Sequence, residues 1–269
     1  MNGAAMDHWA GWAASMRRGR LAPGTVTKRR GELASWSAHI GPNWRTAGWR
    51  DVERWIDGRP LGPRAQAAAV SHLRQFYRWA RREGLVSIDP CADVVSPRVP
   101  VRTPRPARAV DVRRAVGLGV DPLELAAALM AYGGLRCCEV AALRWPDVDL
   151  AAGLLYVTGK GNKQAVVPIA PPLAAILAAQ STTDGPVVAG SRGQPCSPAR
   201  ISQRMNAHLR ARGATCTAHP LRHHAATHLL TITGRLDLVR EFLRHASIST
   251  TQVYAQTAPG ALAAAVADW

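Results

Sequence analysis

Acidic residues are scarce in this chain: 18 Asp+Glu face 34 Lys+Arg over 269 residues, a formal net charge of +16. A balance this lopsided favours a polyanionic partner, because each phosphate neutralised by a cation releases counterions. Basic ribosomal or membrane-surface proteins share the charge, but a chain that is 47% hydrophobic with 9 Trp reads as a folded enzyme or binder rather than a basic tail. Cysteine is sparse and irregular. Cys91, Cys137, Cys138, Cys196 and Cys216 form no C-x-x-C pair, which excludes a disulfide framework and points to reduced thiols in a cytosol. Long apolar runs are also missing. The N-terminus lacks a signal-peptide core, and the alanine clusters at 126–128 and 263–265 sit in runs too short to cross a bilayer. The expectation is a soluble, cytoplasmic protein with no membrane partner. Lysine is rare beside arginine and alanine, a bias associated with GC-rich genomes, and no internal repeat is present.

A chain of this length can hold two domains. The strongest boundary is 96–108, SPRVPVRTPRPAR, where prolines exclude helix and favour an extended strap. Arginines alternate with them, so the segment reads either as a soluble linker or as a basic strap against phosphates. Residues 1–95 read as all-helical. Trp9, Trp12, Ala13 and Met16 share one helical face, Val26, Leu33, Trp36 and Ile40 a second, and Val52, Trp55 and Ile56 a third. The longest helix is expected over about 64–83, stopping at Gly84. It buries Ala69, Val70, Leu73, Phe76, Tyr77 and Ala80, while Arg64, Ser71, Arg74, Arg78 and Arg81 line the opposite face. A solvated face usually mixes signs; this one is purely basic, so Arg64, Arg74 and Arg78 are candidate DNA contacts.

In 109–269, Asp121-Pro122-Leu123-Glu124 combines a cap, a first-position proline and a capping-box glutamate. That helix should end near Gly133-Gly134, with another beginning around Arg136. Short β-rich runs at 153–158 and 165–169 flank Gly159-Lys160-Gly161-Asn162, a hairpin turn. Helices are expected again at 171–179, 197–212 (capped by Ser197), 219–231 and 235–245, with a tail helix at 259–269.

Chemistry gathers in the same half. Arg136, the box His219-Pro220-Leu221-Arg222 and the pair His245 and Tyr254 bring forked, always-charged guanidiniums together with a tyrosine. Arginine matches phosphate oxygens two at a time. A tyrosine hydroxyl can attack phosphorus if such donors hold the developing charge. The set suggests phosphoryl transfer on a nucleic-acid backbone through a covalent intermediate, without metal. Taken singly, Arg136 also reads as a surface helix residue and Tyr254 as a core tyrosine. Lys160 is followed by Gly161, not the Ser or Thr of a phosphate-binding P-loop. His219 and His223, or His224 and His228, are four apart but enclose no H-E-x-x-H glutamate, so no metal is expected. Glu139 lies one helical turn beyond Arg136, where a carboxylate can hold an arginine or histidine.

Four segments carry a resemblance: Gly134-Leu-Arg136-Cys-Cys-Glu139-Val140, Gly159-Lys160-Gly-Asn-Lys163, the box from His219 to Leu230, and His245-Ala-Ser-Ile-Ser-Thr-Thr251-Gln-Val-Tyr254. In this order they resemble the tyrosine recombinases, most closely the small Xer-type and phage-integrase members, over about 108–269. The resemblance implies a mainly α fold with a small β-sheet, built as a two-domain C-shaped clamp. Its parts would be a helical core-binding domain (1–95), a linker (96–108) and a catalytic domain (109–269). It implies that Tyr254 attacks the scissile phosphate to give a 3′-phosphotyrosine and a free 5′-hydroxyl. Arg136 and Arg222 would clamp the non-bridging oxygens and Lys160 would protonate the leaving oxygen. His219 would handle the tyrosine proton, and His245 would donate to a phosphate oxygen. The helix at 197–212, with Arg200 and Arg204 off its apolar stripe, would enter the major groove.

The implied activity is site-specific DNA recombination through a Holliday junction, by four protomers on double-stranded DNA sites, with no cofactor; accessory proteins are unknown. Two other readings share the residues: a type IB topoisomerase, and a DNA-binding regulator that keeps the fold without the reaction. The tail at 258–269 is expected to pack either on its own domain or in trans on a neighbouring protomer. The chain departs from the family pattern where Leu243-Arg244 precedes His245 in place of the usual Leu-Gly, and where Cys138 stands at a common serine position. With helical spacing expected from the first residues on, no arm-site-binding domain of the kind many phage integrases carry is expected.

Overall fold

The computed structural model describes residues 3–99, 105–159, 164–180, 184–190 and 193–244, and the chain divides into two compact units, Met1–Val101 and Arg102–Trp269. Prolines act as helix starts in both. Five helices begin on proline, at Pro23, Pro63, Pro122, Pro171 and Pro198, whose missing N–H would be unpaired in a first turn anyway.

The first unit is helical: α1 (Gly3–Arg18), α2 (Pro23–Ile40), α3 (Trp49–Asp57) and α4 (Pro63–Arg82), with a 3-10 turn at Gly41–Arg45. Its core joins Trp12, Met16, Leu33, Trp36, Val52, Trp55 and the inner face of α4. Polar handles inside it are satisfied: Trp36 Nε1 donates to Tyr77 Oη (3.1 Å), which donates to the Trp44 carbonyl (2.7 Å). α4 buries Trp79 along with the six residues its spacing predicts. Beyond it Gly84 takes φ +70°, the left-handed turn that ends many helices.

The second unit contains α5 (Ala109–Val116), α6 (Pro122–Ala131), α7 (Cys137–Ala142), a 3-10 turn (Trp145–Asp147), β1 (Val148–Asp149), β2 (Leu154–Thr158), β3 (Gln164–Pro168), α8 (Pro171–Ala178), α9 (Pro198–Ala211), α10 (Ala218–Thr233) and α11 (Leu236–Phe242). α6 is buried from Glu124 to Ala131. Its run of alanines lets α5, α8, α9 and α10 pack around it. At its start the Asp121 side chain accepts from the Leu123 N–H (2.7 Å), and Glu124 accepts from the Val120 N–H (3.2 Å) and pairs with Arg212 at the end of α9. The sheet is antiparallel, in the order β1-β2-β3. Leu155, Val157 and Val167 point into the core, while Tyr156 and Val166 face out, the period-two alternation of a half-buried sheet.

Three elements depart from the sequence expectation. No local signal announces α5: it is short and opens without a proline or a capping side chain. β1 has only two residues, likewise below the reach of a pattern. The helix expected over 235–245 ends at Phe242, because Arg244 enters the left-handed region at φ +54°. The tail at 259–269 lies outside the described residues.

Candidate active site

The site is built on the turn that joins α6 to α7. Gly134 takes φ +60°, and a Cβ there would lie 2.8 Å from the Phe242 ring. Only glycine allows both the turn and the close approach of the end of α11. The Gly134 carbonyl then accepts from two side chains, Arg222 Nη1 and Arg244 Nη2 (3.1 Å for the latter).

Glu139, 1% exposed in the first turn of α7, is the hub. Its Oε1 accepts from Arg136 Nη1 (2.7 Å), and its Oε2 accepts from the Arg136 backbone N–H (2.8 Å) and Arg244 Nη2 (2.6 Å). Arg222 Nη1 stands 3.6 Å from the same Oε2. Burial pushes the Glu139 carboxyl upward, but the hydrogen bond and charge of Arg244, the Arg136 N–H and the charge of Arg222 outweigh it, and the group stays ionised below its ordinary range. Arg222 is held from the other side as well, donating to the Leu243 carbonyl (2.5 Å). Arg136 remains 37% exposed at its side chain. Three guanidiniums against one carboxylate leave a positive centre fixed by charge-assisted bonds, a preorganised seat for an anion.

His219 is the second residue of α10, beside this centre and exposed. Partial desolvation, then the charges of Arg222 and Arg136, hold its imidazole below its ordinary value. The helix start adds to the bias against a cation. A neutral imidazole beside an anion seat can accept a proton. His223 packs edge-on against it, ring centroids 4.3 Å apart. His224 bonds through Nδ1 to the Ala107 carbonyl (2.9 Å), and the Ala107 N–H donates to the Pro220 carbonyl (2.9 Å), so the segment before α5 is tied to α10. No group of three or more potential metal ligands occurs among the described residues.

Of the residues singled out from the sequence, Arg136, Glu139, His219 and Arg222 come together here. Lys160, His245 and Tyr254 lie outside the described residues; β2 and β3 pair up to Thr158↔Gln164, on either side of the segment carrying Lys160. Arg64 and Arg78 are exposed on α4. Arg74 is turned inward instead: it donates from Nε to the Cys91 carbonyl (3.1 Å), from Nη1 to Ser96 Oγ (3.1 Å) and from Nη2 to the Val94 carbonyl (2.5 Å). It braces the 91–96 loop, and its fork is withdrawn from the basic face. Arg108, read as part of a strap against phosphates, is also engaged internally, with Asp111 (Nε to Oδ2, 2.9 Å) and Thr215 Oγ1 (3.2 Å). On α9, Ser197 caps the helix and Ile201, Met205 and Leu209 are buried; Arg200 is exposed and Arg204 half-buried. The residue that sequence reasoning missed as a participant is Arg244. Its signal was a side chain at a helix-end position suited to glycine.

Residues 122–260 match the phage integrase family. The chain is 35% identical over 208 residues to tyrosine recombinase XerC of Xylella fastidiosa (strain 9a5c), covering 73% of this chain and 71% of that protein. It is 35% identical over 203 residues to tyrosine recombinase XerC of Alcanivorax borkumensis, covering 69% of this chain and 66% of that protein. The matched region thus spans about two thirds of these relatives' length. In fold it resembles lambda integrase as seen in a dimer bound to a COC′ core site, with a TM-score of 0.75 at 17% identity over 93% of this chain and 94% of that one.

Proposed function

This chain belongs to the phage integrase family, and we propose that it is a site-specific DNA recombinase, cutting and rejoining strands through a 3′-phosphotyrosine intermediate and a Holliday junction. The observation that carries the reading is the anchoring of Arg136 and Arg222 on one buried carboxylate, Glu139, with a neutral His219 alongside. Both forks are ordered before substrate arrives, so the cost of orienting them is not met again as negative charge builds on the phosphate.

In the proposed step Tyr254 supplies the nucleophile. Its oxygen bonds to phosphorus as the bond to the 5′-oxygen breaks; His219 takes the phenolic proton and Lys160 delivers one to the leaving oxygen. Arg136, Arg222 and His245 hold the non-bridging oxygens. The phosphotyrosine retains the energy of the broken phosphodiester, so rejoining needs neither ATP nor metal. The partner is duplex DNA carrying recombination sites, with four protomers in the synapse. Arg64 and Arg78 on α4 and Arg200 and Arg204 on α9 would meet the DNA. The protein would act in the cytoplasm of a bacterium; among the described residues no helix is long and apolar enough to cross a membrane.

A plasmid-relaxation assay run beside a two-site recombination assay tests the reading. Recombinant product is expected. Relaxation without recombinants would identify a nicking-closing enzyme of the type IB class, and binding without either would identify a regulator.

A further inference from the structure

Arg244 follows directly on the end of α11 and carries a side chain at φ +54°, a backbone region that favours glycine. That side chain is only 11% exposed and turns back into the anion seat. Nη1 donates to the Phe242 carbonyl (2.7 Å), and Nη2 donates to Glu139 Oε2 (2.6 Å) and the Gly134 carbonyl (3.1 Å). The Arg244 carbonyl in turn accepts from Arg136 Nη2 (3.4 Å). One residue therefore touches the carboxylate that anchors both phosphate-binding arginines, the carbonyl that Arg222 uses, and Arg136 itself.

We propose that Arg244 is a positioning residue of the phosphate site: by occupying Glu139 Oε2 it keeps the carboxylate from drawing Arg136 and Arg222 away from the scissile phosphate. The inference rests on the recombinase reading and deepens it. With Arg244 absent, Oε2 retains the Arg136 N–H and an Arg222 Nη1 still 3.6 Å away. A buried carboxylate left short of donors draws on the nearest one, here the Arg222 Nη1 that the Gly134 carbonyl otherwise holds, and pulls Arg222 inward. The charged groups facing Glu139 are Arg136 from the turn before α7, Arg222 from α10 and Arg244 after α11; α9, also packed on α7, brings Ser202 to Cys137. Arg244 is first among the influences that hold the Glu139 carboxyl down against its burial.

The experiment uses the full chain as wild type, R244G, E139Q and the double variant. The substrate is a suicide duplex whose sequence is recovered from DNA bound by the Tyr254→Phe protein. R244G is expected to bind the duplex nearly as well as wild type but to form the covalent complex about tenfold or more slowly, the scale set by one charge-assisted bond to a buried carboxylate. In the E139Q background the same change should add little. A carbon-13 NMR titration of the glutamate carboxyls, without DNA, should show Glu139 titrating at higher pH in R244G. Wild-type cleavage by R244G, equal slowing in both backgrounds, or an unmoved Glu139 titration would each overturn the inference. If R244G does not fold, R244Q, whose uncharged and shorter side chain ends before the position of the Arg244 Nη2 that meets Glu139, carries the same comparisons with the same expected and overturning results. Failure of the wild type itself to form a covalent complex strikes the recombinase reading instead, and the DNA-free titration still decides whether Arg244 governs Glu139.

Discussion

Arg222 Nη1 lies 3.6 Å from Glu139 Oε2, and the two side chains are 3% and 1% exposed. Removing one partner of such a pair leaves a charge buried without compensation, at a cost of about 3–5 kcal/mol. The Glu139 carboxyl titrates below its usual 4.5 in the folded protein. A depressed carboxyl contributes stability that is complete above its unfolded value and is lost as pH falls through the lower folded value. Glu139→Gln should therefore destabilise the protein at neutral pH and flatten its loss of stability in acid. Urea melts across that range check this; an acid profile identical to wild type would contradict it.

His219 has its imidazole held below the ordinary 6.5 by desolvation and by the charges of Arg222 and Arg136. It is thus neutral at pH values where a free histidine is already half protonated. Covalent capture should persist through pH 6.5 and fall only below it, as the imidazole gains its proton and loses its capacity to accept another. His219→Gln should remove that limb and lower the plateau rate, by about 10²–10⁴-fold if the residue is the general base. A wild-type limb centred above pH 6.5 would count against the assignment.

Tyr254→Phe removes one hydroxyl. It should abolish the covalent protein–DNA band on a nicked suicide substrate, resolved under denaturing conditions, while DNA affinity stays near wild type. A band that persists would show another residue to be the nucleophile.

Lys160→Ala should slow cleavage strongly on ordinary DNA. A 5′-bridging phosphorothiolate has a leaving group that needs little protonation, so it should recover much of the rate. Without recovery Lys160 is not the general acid.

Arg200 and Arg204 stand off the buried stripe of α9. If either reads a base edge, its alanine variant should relax preference at particular positions by about 1–3 kcal/mol; a lost phosphate contact should weaken all sequences alike and lower the salt slope by about one. Binding-site selection at two salt concentrations separates the cases. No change in either would make α9 a solvated face.

The helices and hairpin strands of this protein were largely legible in its sequence because their signals are local. Apolar spacing marks the inner faces of α2, α3 and α4, proline and the Asp121–Glu124 box mark starts, and Gly84 marks an end. Four of the candidate catalytic and supporting residues, Arg136, Glu139, His219 and Arg222, were legible as chemistry for the same reason: residue type and spacing carry it. The tertiary structure alone decided where the arginines point. Arg74 and Arg108 look like members of a basic surface, yet both are committed to groups within their own units. Arg244 reads as a helix-end oddity, yet it reaches the carboxylate shared by Arg136 and Arg222, more than a hundred residues earlier in the chain. A guanidinium on a long, flexible stem bonds to whatever carbonyl or carboxylate packing brings within reach, and that neighbour is set by the docking of α10 and α11 against the α6–α7 turn, which no local pattern encodes.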